Sequence, residues 1–86
     1  MYQVKLSKQA VKQFQKLNNP VFSHVKRKLH ALENWSSATM DVKSMSGSYK
    51  GYFRMRVGNV RIIFFPDVKN KIIFVDAIGF RGDIYK

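Results

Sequence analysis

Three arginines stand in one segment of alternating character, Tyr52-Phe53-Arg54-Met55-Arg56-Val57-Gly58-Asn59-Val60-Arg61-Ile62-Ile63-Phe64-Phe65. Guanidinium groups stay charged at any working pH and grip phosphate oxygens bidentately, so arginines gathered on one surface make an anion site, with a phosphodiester as the natural ligand. If Gly58-Asn59 is a two-residue hairpin turn, Val57 pairs with Val60, Arg56 with Arg61, Met55 with Ile62 and Phe53 with Phe64. Alternation then puts Phe53, Met55, Val57, Val60, Ile62 and Phe64 on an apolar face, and Tyr52, Arg54, Arg56 and Arg61 on the opposite one. Like charges directly across a ladder cost roughly some tenths of a kcal/mol. An anion between Arg56 and Arg61 would turn that repulsion into a binding site. A solvated sheet face of ordinary charges, with Asp76 neutralising one arginine, is the other reading, and this segment leaves both open.

The C-terminal Phe80-Arg81-Gly82-Asp83-Ile84-Tyr85 can bring a further arginine and two rings to the sheet edge, a combination suited to single-stranded RNA. Tyr49 and Tyr52 serve either as base-stacking rings or as packing. His24 and His30 fall in a helical stretch away from the arginine strands, which assigns them surface or helix-cap roles. With no cysteine in the chain, thiolate metal sites, disulfides and cysteine nucleophiles are excluded, and no carboxylate or histidine cluster suggests a metal.

The elements that must position these residues follow from periodicity. Residues 2–6 alternate as a strand, and Ser7 is an N-cap for a helix whose Ala10, Val11, Phe14 and Leu17 share a stripe. After Asn18-Asn19-Pro20, a second stripe of Val21, Val25, Leu29 and Leu32 completes a helical hairpin, with Lys5, Lys8, Lys12, Lys16, Lys26, Arg27 and Lys28 around these stripes as a solvated face. Residues 34–48 read as a connection with a short strand near Lys43, anchored by Trp35. Three strands follow, near 50–57, 60–65 and 70–78, forming an antiparallel meander that the first strand joins. The expectation is an α+β domain: strand, helical hairpin, then a sheet covered on one face by the helices.

The 86 residues support one core, and 45% hydrophobic and 14% aromatic content supply the apolar surface to build it. Sixteen Lys and Arg against five Asp and Glu leave a formal charge of +11, which favours a polyanionic partner. The N-terminal stretch lacks the apolar run of a signal peptide or membrane span, so the expected compartment is the cytoplasm.

Taken in order, Val42-Lys43-Ser44-Met45-Ser46-Gly47, then Arg54 through Phe64, then Ile78-Gly79-Phe80-Arg81-Gly82-Asp83-Ile84-Tyr85 resemble the RelE branch of the RelE/ParE toxin superfamily. The likeness runs over essentially the whole chain, including the opening strand and Ser7 through Ala10. It implies a single RelE-like domain, residues 1–86, acting as the toxin of a type II toxin-antitoxin system. The implied activity is ribosome-dependent, cofactor-free and metal-independent cleavage of messenger RNA, by attack of the ribose 2′-hydroxyl to give a 2′,3′-cyclic phosphate. By the same resemblance Arg54, Arg56, Arg61, Arg81 and Tyr85 are the catalytic set. Arg56 and Arg61 would hold the phosphate, Arg81 would sit near the leaving 5′ oxygen and Tyr85 would stack on or orient a base. Lys43, Lys50, Tyr52 and Phe80 would contact RNA. The chain departs from the pattern at Tyr52 and Arg54, where relatives commonly carry lysine, and at Phe80, where other branches carry histidine. The general base is then Lys43, Lys50, Asp83 or a positioned water, since arginine scarcely deprotonates. The implied partners are a cognate antitoxin, messenger RNA and the ribosome with its 16S RNA, with the free toxin monomeric. Two rivals share the fold or the charge: a ParE-like inhibitor of DNA gyrase without nuclease chemistry, and a non-catalytic RNA-binding module.

Overall fold

The computed structural model describes residues 1–36 and 41–80. Along the chain come β1 (Gln3–Leu6), α1 (Lys8–Gln15), α2 (Val21–Ala31), β2 (Val42–Ser44), β3 (Phe53–Val57), β4 (Val60–Asp67) and β5 (Ile72–Phe80), with short 3-10 turns at Leu32–Asn34 and Gly47–Tyr49. The strands form one mixed sheet in the order β1-β5-β4-β3-β2, in which β1 lies parallel to β5 and the other pairs are antiparallel. Both helices lie on one face, giving the expected α+β architecture.

Ser7 starts α1 as an N-cap, its Oγ accepting from the Ala10 amide at 3.0 Å. Ala10, Val25, Leu29 and Leu32 turn inward and meet Met55, Val57, Val60, Ile62, Phe64, Ile73, Val75 and Ile78 of the sheet. Phe64 lies at the centre of this core, fully buried, with Trp35 edge-on at 5.2 Å and Phe53 stacked at 6.0 Å. Truncating a phenylalanine in such a place costs about 3–5 kcal/mol. Trp35 also touches Phe53, at 5.0 Å, so it ties the chain after α2 to the sheet.

The hairpin register is the one that alternation demanded: Val57 faces Val60, Arg56 faces Arg61, Met55 faces Ile62 and Phe53 faces Phe64. In the turn Gly58 alone takes a positive φ, 61°, the pattern of a type II′ turn, in which glycine occupies the first central position. The chain differs from expectation at Pro66 and Asp67, which continue β4 instead of opening the turn. β3 begins at Phe53, opposite Phe64, so beyond that point β4 has no neighbour on its β3 side and a residue without an N–H is tolerated there. Asp67 then closes the β4–β5 connection by accepting from the Asn70 backbone N–H at 3.1 Å and from its side-chain amide at 2.9 Å.

β1 ends opposite Val75, which leaves the outer edge of β5 unpaired beyond that residue. Polar side chains of α1 take over there. The Ser7 hydroxyl donates to the Asp76 carbonyl at 2.8 Å, and the Gln13 side-chain carbonyl accepts from the Ile78 amide at 2.7 Å. This satisfies backbone groups that would otherwise be orphaned, and it holds β5 in place through an irregularity in its pairing with β4 at Ile63 and Phe64. No described helix is long and apolar enough to cross a membrane.

Candidate nucleic-acid interface

The face without helices is built from rows of side chains set across the strands, and the register assigns each row. Arg56 of β3 faces Arg61 of β4, which in turn faces Gly79 of β5. In the next row Lys43 of β2, Arg54, Ile63 and Ala77 follow one another across the sheet. Rows two residues apart along a strand are separated by about 7 Å. The third row holds Phe65, Phe74 and Lys5, and the ring of Tyr52 packs against Phe65 at 5.3 Å. Two cationic rows therefore run beside an aromatic one.

Burial grades these cations. Arg56 is exposed and Arg54 half-buried, whereas Arg61 is only 7% exposed and is the one buried charged residue among those described. A guanidinium in such a place is held in one orientation, and among the described residues no buried side-chain nitrogen or oxygen lacks a hydrogen-bond partner. Lys43, Arg54 and Arg56 line a small polar hollow of about 170 Å³ together with Asp41. A neighbouring hollow of about 340 Å³ is lined by Lys43, Tyr49 and Arg54 among others. Among the described residues neither Asp41 nor Asp76 forms an ion pair, while Arg61 has an interaction partner of its own. The arrangement can hold an oxyanion, since Lys43, Arg54 and Arg56 line one hollow and Arg61 stands directly across the ladder from Arg56.

The sequence-predicted residues divide as follows. Lys43, Tyr52, Arg54, Arg56 and Arg61 share this face. Lys50 closes the Gly47–Tyr49 turn, where its amide donates to the Gly47 carbonyl, and its exposed side chain lines none of these hollows. Phe80 is not brought to the face: it pairs with Val60, whose side chain is in the core, so it belongs to the helix-bearing side at the end of the sheet. An even offset separates it from Ile78, which is also in the core, and the strand's alternation carries it to that side. Arg81, Asp83 and Tyr85 lie outside the described residues. His24 and His30 are on α2, remote from the arginines, with His30 Nδ1 3.7 Å from the Glu33 carboxylate. Among the described residues no three His, Asp or Glu side chains converge as a metal site.

Sequence reasoning missed Phe65 and Phe74. Their register places them in the row beside the arginines, and the signal that could have found them is the even spacing of Phe65 from Ile63 and Arg61 along β4. That row also depends on Gly51, whose φ is 94° and where a Cβ would come within 3.0 Å of the Phe65 ring. The backbone can pass so close to Phe65 only at a residue without a side chain.

No family model matches the sequence, and no curated protein matches it either. Solved structures do. The RelBE2 toxin-antitoxin complex of Mycobacterium tuberculosis contains a chain that superposes with a TM-score of 0.80 at 18% identity, covering 93% of this chain and 98% of that one. The RelE-RelB complex of Pyrococcus horikoshii OT3 contains a chain 29% identical, with a TM-score of 0.76 and coverage of 95% and 97%. One in the RelB-RelE antitoxin-toxin complex of Methanococcus jannaschii is 26% identical, with a TM-score of 0.74 and 93% of each chain covered. In fold and in length the chain is thus similar to RelE-type toxins, with 29% and 26% identity to the toxin chains of the Pyrococcus and Methanococcus complexes.

Proposed function

We propose that this chain is the toxin of a toxin-antitoxin pair and that it cleaves messenger RNA in the ribosome. The observation that carries the reading is the placing of Arg56 directly across from Arg61, with Arg54 and Lys43 beside them, on the face the helices leave open. Like charges directly across a ladder are unfavourable, and an anion bound between them offsets that cost. In the proposed reaction the 2′-hydroxyl of one ribose attacks the adjacent phosphorus and the bond to the 5′ oxygen breaks. The products are a 2′,3′-cyclic phosphate and a 5′-hydroxyl. Arg56 and Arg61 would grip the non-bridging oxygens and offset the charge that grows on them in the transition state. The proton leaving the 2′-hydroxyl and the one reaching the 5′ oxygen require a base and an acid. Lys43, beside Arg54, is the described residue best placed for the first, and Arg81 and Tyr85 remain in the proposed set through the resemblance.

A surface this basic fits an acidic or amphipathic antitoxin segment that orders on binding, and RelB-type partners accompany the similar chains in the solved complexes. With messenger RNA and the ribosome as the target, the proposed place of action is the cytoplasm. The test is messenger RNA cleavage on purified programmed ribosomes, with chelator throughout, comparing the wild type with Arg56→Gln and Arg61→Ala. Chelator-resistant cuts that fall about 100-fold or more in each folded variant are expected, the magnitude of removing one preorganised donor to the transition state. Intact RNA from a folded wild type would remove the nuclease reading and leave gyrase inhibition or RNA binding without cleavage.

A further inference from the structure

The row of rings beside the arginines has no task in the cleavage chemistry, and its exposure needs an account. Phe65 is 36% exposed and Phe74 43%, on a face where no helix covers them. Tyr52 stands edge-on to Phe65 at 5.3 Å, and Tyr49 continues the series with its ring 5.8 Å from Tyr52. Phe74 pairs with Phe65 across the ladder and, among the described residues, makes no ring contact of its own. Next to it a hollow of about 440 Å³, lined in part by Lys5, Tyr52, Phe74 and Asp76, falls within the roughly 300–1,000 Å³ range of small-molecule sites. Aromatic side chains on a strand usually pack. Tyr49, Tyr52 and Phe65 pack against one another, yet Phe65 and Phe74 keep more than a third of their surface in water, which marks a binding surface.

Its occupant can be argued from the neighbouring row. The row of Lys43 and Arg54 is the next one along the strands, about 7 Å away, with Arg54 one strand from Phe65, and Lys5 flanks Phe74 on the other side. A ligand that satisfies both rows carries anionic groups and flat rings at regular short spacing, which is the constitution of single-stranded nucleic acid. On this basis we infer that Phe65 and Phe74, with Tyr52, form a base-stacking platform that seats nucleotides adjoining the phosphate held by the arginines. The inference rests on the reading of the arginine face as an RNA site and extends it from one phosphate to a strand of two or more nucleotides. Because every base has a π-face, the platform contributes affinity with little sequence preference.

The test measures binding of a short, fully 2′-O-methylated RNA, which lacks the attacking hydroxyl and cannot be cut, across a salt series. An otherwise identical oligomer with abasic sites serves as the second probe. Phe65→Ala, Phe74→Ala and Arg56→Gln are compared with the wild type after thermal melts confirm that each folds. Phe65→Ala and Phe74→Ala are expected to weaken binding about 5-fold or more with the salt dependence unchanged, and to bind the abasic oligomer as the wild type does. Arg56→Gln should instead flatten the salt dependence by about 0.7 in log–log slope, the change expected when one fewer phosphate is neutralised. Undiminished binding by both phenylalanine variants beside a weakened Arg56→Gln would overturn the platform and leave the arginine site standing. Equal losses on the abasic oligomer would also overturn it, as an indirect effect on the fold. A folded wild type that binds neither oligomer would remove the RNA reading itself, and the platform with it.

Discussion

Replacing Arg56 by glutamine should make the protein more stable and less active at once. Arg56 and Arg61 are directly paired on β3 and β4, and Arg56 is the exposed member, so its head can be neutralised without opening the core. A like-charged pair directly across a ladder is unfavourable by about 0.2–1 kcal/mol, so the gain at low salt is about 0.5 kcal/mol. For a domain of this size that corresponds to a rise in Tm of roughly 2–4 °C. Salt screens exposed charges over roughly 3 Å at 1 M, so the gain should vanish there. Sulfate or phosphate, bound between the two guanidiniums, should raise the Tm of the wild type more than that of the variant, since a ligand stabilises only the state that binds it. Losing one charged hydrogen-bonding partner, worth about 1.5–3 kcal/mol, should lower RNA binding by roughly 10- to 150-fold. Thermal melts at low and high salt, with and without phosphate, read the first three effects. A variant no more stable than the wild type at low salt, with an equal response to phosphate, would refute the idea that this face is an anion site.

Three further outcomes test the frame that holds the face. Ser7→Ala removes the cap on α1 and the bond to the Asp76 carbonyl together, and should lower stability by about 1–2 kcal/mol in a denaturant titration. Gly58→Ala forces a side chain into a φ of 61° at the β3–β4 turn and should cost about 1–2 kcal/mol, with RNA binding reduced as the register of Arg56 and Arg61 loosens. The Asn70 side-chain amide, and after it the Asn70 backbone N–H, holds the Asp67 carboxyl below its ordinary pKa. A lowered folded-state pKa contributes stability that is present above the unfolded value and lost as pH falls through the folded one. Melts of Asp67→Ala should therefore lie below the wild type near neutrality, and the two should converge as the pH drops through and below the ordinary carboxylate range.

Much of the fold is legible in the chain because its signals are local. Ser7 precedes a helical stripe, and its hydroxyl caps the helix it predicts. Gly58-Asn59 sits between two alternating runs, and once that turn closes, the period of two dictates that Arg56 meets Arg61 while Phe53, Met55, Ile62 and Phe64 share the core. Pro66 reads as a strand end because a proline interrupts a ladder. It continues β4 because β3 is already absent at that point, a fact about a neighbouring strand that no local pattern contains.

What only the tertiary structure decides is which residues from distant strands become neighbours. The sequence by itself determines the arginine hairpin, since turn chemistry and alternation act over a few residues. It does not reveal that Lys5 lies beside Phe74, because that pairing depends on β1 entering parallel next to β5 across the whole length of the chain. Nor does it place Phe74 in the row of Tyr52 and Phe65, or Phe80 on the helix-bearing side, since both follow from the β4–β5 register and its irregularity at Ile63 and Phe64. One extra residue in a strand reverses the face of everything beyond it, so the aromatic row beside the arginines is a property of the assembled sheet.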